Sequence, residues 1–278
     1  MNNYKTYLIE VTQQCNLRCK YCFFGTYKDR KVGFLDLNRF YELKNKNIWL
    51  SGGETFLHPQ IKEAIKVFGS NNKLNVFTNG TVISKFQPSL FKNINKLYVS
   101  FDSPLKEKNA MYRNSYPDIA YLQKLNETKN TEIVFKKTIT KQNYNDLDEY
   151  FSEFIALGFK SFSFNVVFIP PGAPLHKELS INESPEISKT IFSTINFWKE
   201  KINMDSGYLN TLEKYLAGTL DVSICPALKG EACYIDYKGD ISLCPDKRAM
   251  ELGEKHQEVK SCSDFFNGGC LGMWEVFN

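Results

Sequence analysis

The chain has 278 residues, 42% hydrophobic, 24% charged and 14% aromatic, which supplies one large core and excludes disordered and fibrous classes. Thirty-five Lys and Arg against 31 Asp and Glu leave a net charge of +4, spread along the chain, which argues for neither nucleic acid nor an acidic membrane surface as a partner. No apolar run reaches the roughly 18 to 20 residues of a spanning helix and no signal-peptide pattern opens the chain, so a cytoplasmic protein away from membranes is expected.

In chain order, β-rich runs at 7–12, 48–50, 74–78, 97–101, 133–139 and 162–168 alternate with amphipathic stretches. The clearest helix is expected over 145–157, with Leu147, Tyr150, Phe151, Phe154 and Ile155 on one stripe and Gly158 as its terminator. His58 before Pro59, where a helix is expected to start, reads as structural. Six strand-then-helix units predict an α/β fold with a parallel sheet, either open and doubly wound or a partly closed barrel. Lys136 and Lys137 are adjacent on a strand, so one points into such a barrel and the other outward. The run Ile169-Pro170-Pro171-Gly172-Ala173-Pro174 reads as a loop or boundary. Ser184 as a cap with Pro185 at the first turn then opens a helix carrying Ile187, Ile191, Ile195 and Trp198 on one face. From Cys225 the texture turns to short runs, Gly and Cys, and Tyr234 to Leu243 reads as a β-hairpin turning at Lys238-Gly239-Asp240. Three units follow: 1–180, 181–224 as a helical linker, and 225–278 as a small domain held by metal rather than by a core of its own.

Eight cysteines in a chain without an export signal point to metal or redox chemistry rather than disulfides. Cys15, Cys19 and Cys22 form C-x3-C-x2-C directly after the first strand, hence in a loop at that strand's C-terminal end, where parallel α/β folds build active sites. Three thiolates hold three irons of a cubane cluster and leave the fourth open. A structural zinc site would want a fourth ligand, and none is near in sequence.

This triplet, with Tyr21 before its last cysteine, resembles the cluster motif of the radical S-adenosylmethionine (SAM) superfamily, and the resemblance extends over the whole chain. It implies a partial (β/α)6 TIM-like barrel and a 4Fe-4S cluster whose open iron takes the amino and carboxylate groups of SAM. Reductive cleavage then yields a 5'-deoxyadenosyl radical that abstracts hydrogen from substrate. The resemblance further implies that Gly52-Gly53-Glu54 meets the methionyl amine. Thr78-Asn79, Ser100 and Asp102 would contact the cofactor's carboxylate and ribose, Arg113 would lie near its carboxylate, and Asn165 would share that surface. An electron donor such as flavodoxin or ferredoxin is the implied partner.

Cys225-x13-Gly239-x4-Cys244 is similar to the start of the SPASM and twitch domains, which carry auxiliary 4Fe-4S clusters. The five C-terminal cysteines suit one auxiliary cluster, the twitch form, for two clusters in all. The expected ligands are Cys225, Cys233, Cys244 and Cys270, with Cys262 spare. If Cys262 is a ligand, Cys225 becomes the spare. A spare thiol is either a packing residue or a hydrogen-atom donor to a substrate radical.

Such relatives chiefly modify peptides by cross-linking, oxidation or epimerisation, and some small ones oxidise aminoglycoside precursors. A first strand so close to Met1 leaves no room for a leader-binding domain, which pulls toward a small substrate or a short peptide. Peptide or protein modification is placed first, a small-molecule dehydrogenase or epimerase of sugar type second, and a non-catalytic iron-sulfur or zinc protein third.

Overall fold

The structure, a computed structural model, describes residues 4–22, 31–167, 175–181, 184–221 and 225–244. Six strands, β1 (Thr6–Glu10), β2 (Asn47–Ser51), β3 (Lys73–Thr78), β4 (Lys96–Ser100), β5 (Glu132–Ile139) and β6 (Ser161–Val166), fall where the β-rich runs are expected. The helices are α1 (Ile61–Asn71), α2 (Pro88–Phe91), α3 (Lys106–Arg113), α4 (Ile119–Glu127), α5 (Leu147–Ala156), α6 (His176–Leu179), α7 (Pro185–Trp198) and α8 (Ser206–Leu216).

β1 to β6 pair in parallel in simple chain order. A doubly wound sheet would reverse its strand order part-way, so the winding is that of a barrel. Its sheet ends on β6 at one edge among the described residues.

Alternation along the strands gives each face its own core. Leu8, Trp49, Phe77, Tyr98, Val134 and Tyr234 pack together inside the curve. Tyr7, Ile9, Leu50, Val76, Val99 and Phe135 face outward into the larger core under the helices. α5 presents Leu147, Tyr150, Phe151 and Phe154 to that core and closes at Gly158, whose φ of +91° suits a residue without Cβ. α7 buries the four expected residues, but Ser184 makes no side-chain cap; Pro185, which needs no N–H partner, opens the helix. Pro59 likewise does not start a helix, because the chain turns at His58 and α1 begins at Ile61.

The hairpin forms as β7 (Ala232–Ile235) and β8 (Ile241–Ser242), with Asp236 Oδ1 accepting the Lys238 and Asp240 N–H groups across the turn. β7 lies parallel to β1, so the hairpin extends the barrel's own sheet. Cys233 and Ile235 enter the main core, as do Ile187, Ile195, Tyr208 and Leu212 of α7 and α8. The described part of the C-terminal region, 225–244, is therefore packed on barrel residues. The loop at 169–174 lies outside the described residues.

Candidate active site

β1 delivers the chain to its C-terminal end, and Cys15, Cys19 and Cys22 follow there, all partly exposed. The loop after β2 packs directly against this segment. Gly53 N–H donates to Thr12 O at 2.7 Å and Glu54 N–H to Gln14 O at 2.8 Å. A Cβ on Gly52, at φ +148°, would fall 2.3 Å from Thr12 O, and one on Gly53 2.2 Å from Gln14 O. Glycine is required at both positions for the two backbones to approach.

Glu54 is buried and both its carboxylate oxygens accept hydrogen bonds: Oε1 from Phe56 N–H and Thr78 Oγ1, Oε2 from Asn79 N–H. Burial raises its pKa, against the pull of those three donors. Asn79 in turn donates to Asn16 Oδ1 at 2.9 Å and to Cys15 Sγ at 3.6 Å. Asn16, within the triplet, was not singled out from sequence; its place between Cys15 and Cys19 was the available signal.

On the loop's other side Tyr21 donates its phenol to Asp102, and the Arg113 guanidinium stands 5.6 Å over the Tyr21 ring. Arg113 Nε lies 2.8 Å from Asp102 Oδ2, and Thr138 N–H donates to Oδ1 at 2.9 Å. Asp102, expected among the contacts to the cofactor's carboxylate and ribose, has a side chain that is 0% exposed, with its oxygens facing these groups. Burial works against the Arg113 charge, yet Asp102, Tyr21 and Cys19 together more than offset it and the pKa is raised. Lys137, outward on β5, is completely buried, paired with Asp146 at 2.8 Å and donating to Asp102 O. Burial lowers its pKa, opposed by Asp146 and Asp102. Neither Lys137 nor Asp146 was legible as a pair from sequence.

Inside the curve stand Ser100 at the end of β4, Asn165 on β6 and Lys136 on β5. Lys136 donates to Ser163 at 3.1 Å and lies over the Phe77 and Tyr98 rings. Asn165 Oδ1 is buried with no hydrogen-bond partner. Glu10, also buried, accepts from Tyr234 and Gln13; burial raises its pKa against both donors. His58 bonds Leu35 O through Nε2 and accepts Gln60 N–H at Nδ1, a structural role.

The C-terminal thiols take different faces. Cys225 precedes β7, where Glu231 O accepts from Lys5 and Thr6 N–H, and Cys244 leaves β8 antiparallel, so both sit at the N-terminal end of β1. Cys244 packs on the inner aromatic cluster, whereas Cys233 is buried in the outer core, its thiol pushed up to about 12 by burial. Cys262 and Cys270 lie outside the described residues. Among the described residues no three His, Cys, Asp or Glu side chains stand at metal-holding separation.

The first loop nevertheless fits a cluster. Its three thiols share one short segment, and Leu17 N–H and Asn79 Nδ2 point at Cys15 Sγ. The Radical SAM superfamily model matches residues 9–176. The chain belongs to that superfamily. Uncharacterized protein MJ0907 of Methanocaldococcus jannaschii is 25% identical over 273 residues, covering 92% of this chain and 90% of that one. SuiB of Streptococcus suis, solved with S-adenosylmethionine, is 16% identical at TM-score 0.66 over 99% of this chain; the match spans 66% of SuiB. anSMEcpe with bound AdoMet is 18% identical at TM-score 0.64, covering 86% of this chain and 74% of that one. These likenesses establish the barrel fold. No helix among the described residues is long and apolar enough to cross a membrane.

Proposed function

We propose that this chain is a radical SAM enzyme that abstracts a carbon-bound hydrogen from a peptide or protein, leading to cross-linking, oxidation or epimerisation. The observation that carries the chemistry is the three-cysteine loop locked between the Gly52-Gly53 cradle and Asp102 at the C-terminal end of a parallel barrel. When bound there, a reduced 4Fe-4S cluster and SAM supply a carbon-centred radical. Cys15, Cys19 and Cys22 hold the cluster. The backbone at Gly52 and Gly53 meets the methionyl group, and Ser100 and Asn165 offer polar contacts on the inner face. Lys136 places a buried ammonium there, suited to a substrate carboxylate.

The peptide reading is supported by the barrel's likeness to SuiB, solved with precursor peptide SuiA, and to anSMEcpe, solved with the Cp18Cys peptide. An auxiliary cluster is the role we assign to the C-terminal thiols. Cys225 and Cys244 stand at the opposite end of β1 from the first loop. Cys233, on the other face of the sheet, is better read as a packing residue. That leaves Cys262 beside Cys225, Cys244 and Cys270 as a ligand rather than a hydrogen-atom donor. A flavodoxin or ferredoxin would supply the electron.

Deuterium transfer tests the substrate class. In reactions with uniformly deuterated peptides, 5'-deoxyadenosine acquires deuterium if a peptide is the substrate. Transfer from deuterated aminoglycoside precursors instead would move the assignment to small molecules.

A further inference from the structure

We infer that Asp102 is the positioning residue of the cluster loop, fixing Tyr21 and Arg113 in place and cancelling the Arg113 charge beside Cys19. The inference rests on the radical SAM reading of that loop.

Asp102 is held at every polar atom. Its N–H donates to Asn109 Oδ1 at 2.8 Å, its carbonyl accepts from Lys137, and its carboxylate takes Tyr21, Arg113 and Thr138 N–H. A side chain so bound has no freedom to follow a ligand; it transmits the position of β4 and β5 to whatever it touches. What it touches is the loop. Tyr21 lies between Cys19 and Cys22, Lys20 N–H donates to Tyr112 O at 2.9 Å, and Cys19 Sγ is 3.9 Å from Arg113 O. The end of α3 and the cluster loop are thereby joined through one carboxylate.

The charges in this buried group balance: Arg113 and Lys137 against Asp102 and Asp146. Removing the Asp102 charge leaves Arg113 as a bare cation against the loop. A cation beside a thiolate-bound cluster favours its more negative, reduced state, so the reduction potential rises. Tyr21 loses its anchor at the same time.

The test uses the full chain, wild type, Asp102→Asn, Arg113→Met and the double variant, reconstituted anaerobically. Iron and sulfide are counted, and the midpoint potential is measured for the cluster whose EPR signal changes on adding SAM. With iron content at the wild-type level, Asp102→Asn is expected to favour the reduced form at least tenfold, about 59 mV for one electron, and the double variant to return toward wild type. An unchanged or lowered potential in Asp102→Asn overturns the proposal. If Asp102→Asn takes up no cluster on this loop, the double variant decides: recovered iron supports charge cancellation, and no recovery overturns it. SAM cleavage by the wild type tests the underlying reading separately, because a cluster that binds SAM without cleaving it still yields the potential shifts.

Discussion

The backbone N–H of Asn79 donates to Glu54 Oε2 at 2.6 Å, fastening the loop after β3 to the loop after β2 beside the first cysteine. Because Oε1 of the same carboxylate takes Thr78 and Phe56, an amide in its place would turn an NH2 toward donors. Glu54→Gln is expected to lower stability by about 1 to 3 kcal/mol and to weaken SAM binding through displaced Asn79. Urea unfolding of the apo protein and equilibrium binding of SAM read the two effects.

Gly53→Ala places a methyl carbon against Gln14 O. The expected result is a loss on the order of 3 kcal/mol and reduced iron on the N-terminal loop, with the far-UV spectrum retained. Iron analysis of Gly53→Ala in a background lacking Cys225 and Cys244 isolates the first loop.

Iron stoichiometry separates the C-terminal thiols. Cys233→Ala is expected to keep the wild-type iron content, because its side chain is enclosed in the outer core with Tyr7 and Ile9. Cys225→Ala and Cys244→Ala are each expected to lose about four irons. A loss of that size in Cys233→Ala would return it to the ligand set.

Glu10 joins β1 to the hairpin through Tyr234, with Gln13, Asp236 and the Tyr237 backbone as its other polar neighbours. Its pKa in the folded protein lies above the ordinary 4.5, burial being the main cause. The native state therefore binds this proton more tightly than the unfolded chain. Its contribution is complete below 4.5 and is lost as pH rises through the folded value. Relative to Glu10→Gln, the wild type should lose up to about 1.4 kcal/mol per pH unit in that window. Urea midpoints measured across it check the slope, and parallel curves for the two proteins would contradict it.

Short contiguous patterns were the most legible. Cys15 to Cys22 and Gly52-Gly53-Glu54 stood out as candidates because ligand spacing and close backbone approach are local properties, and strand alternation separated Lys136 from Lys137. What those residues meet was not legible. The Tyr21–Asp102 contact joins residues 81 apart, and the Glu10–Tyr234 bond joins residues 224 apart. Both depend on how the sheet curls. The hairpin turn was readable from Lys238-Gly239-Asp240, but its parallel seat on β1, which sends Cys233 and Cys244 to opposite faces, arises from long-range pairing that no local pattern encodes.

The most direct measurement is the yield of 5'-deoxyadenosine when anaerobically reconstituted protein, reduced with dithionite, is given SAM. The wild type is predicted to form it, and Cys15→Ala, Cys19→Ala and Cys22→Ala are each predicted to form none. Wild-type protein carrying its iron yet forming no 5'-deoxyadenosine, or undiminished formation in any of the three variants, would contradict the assignment.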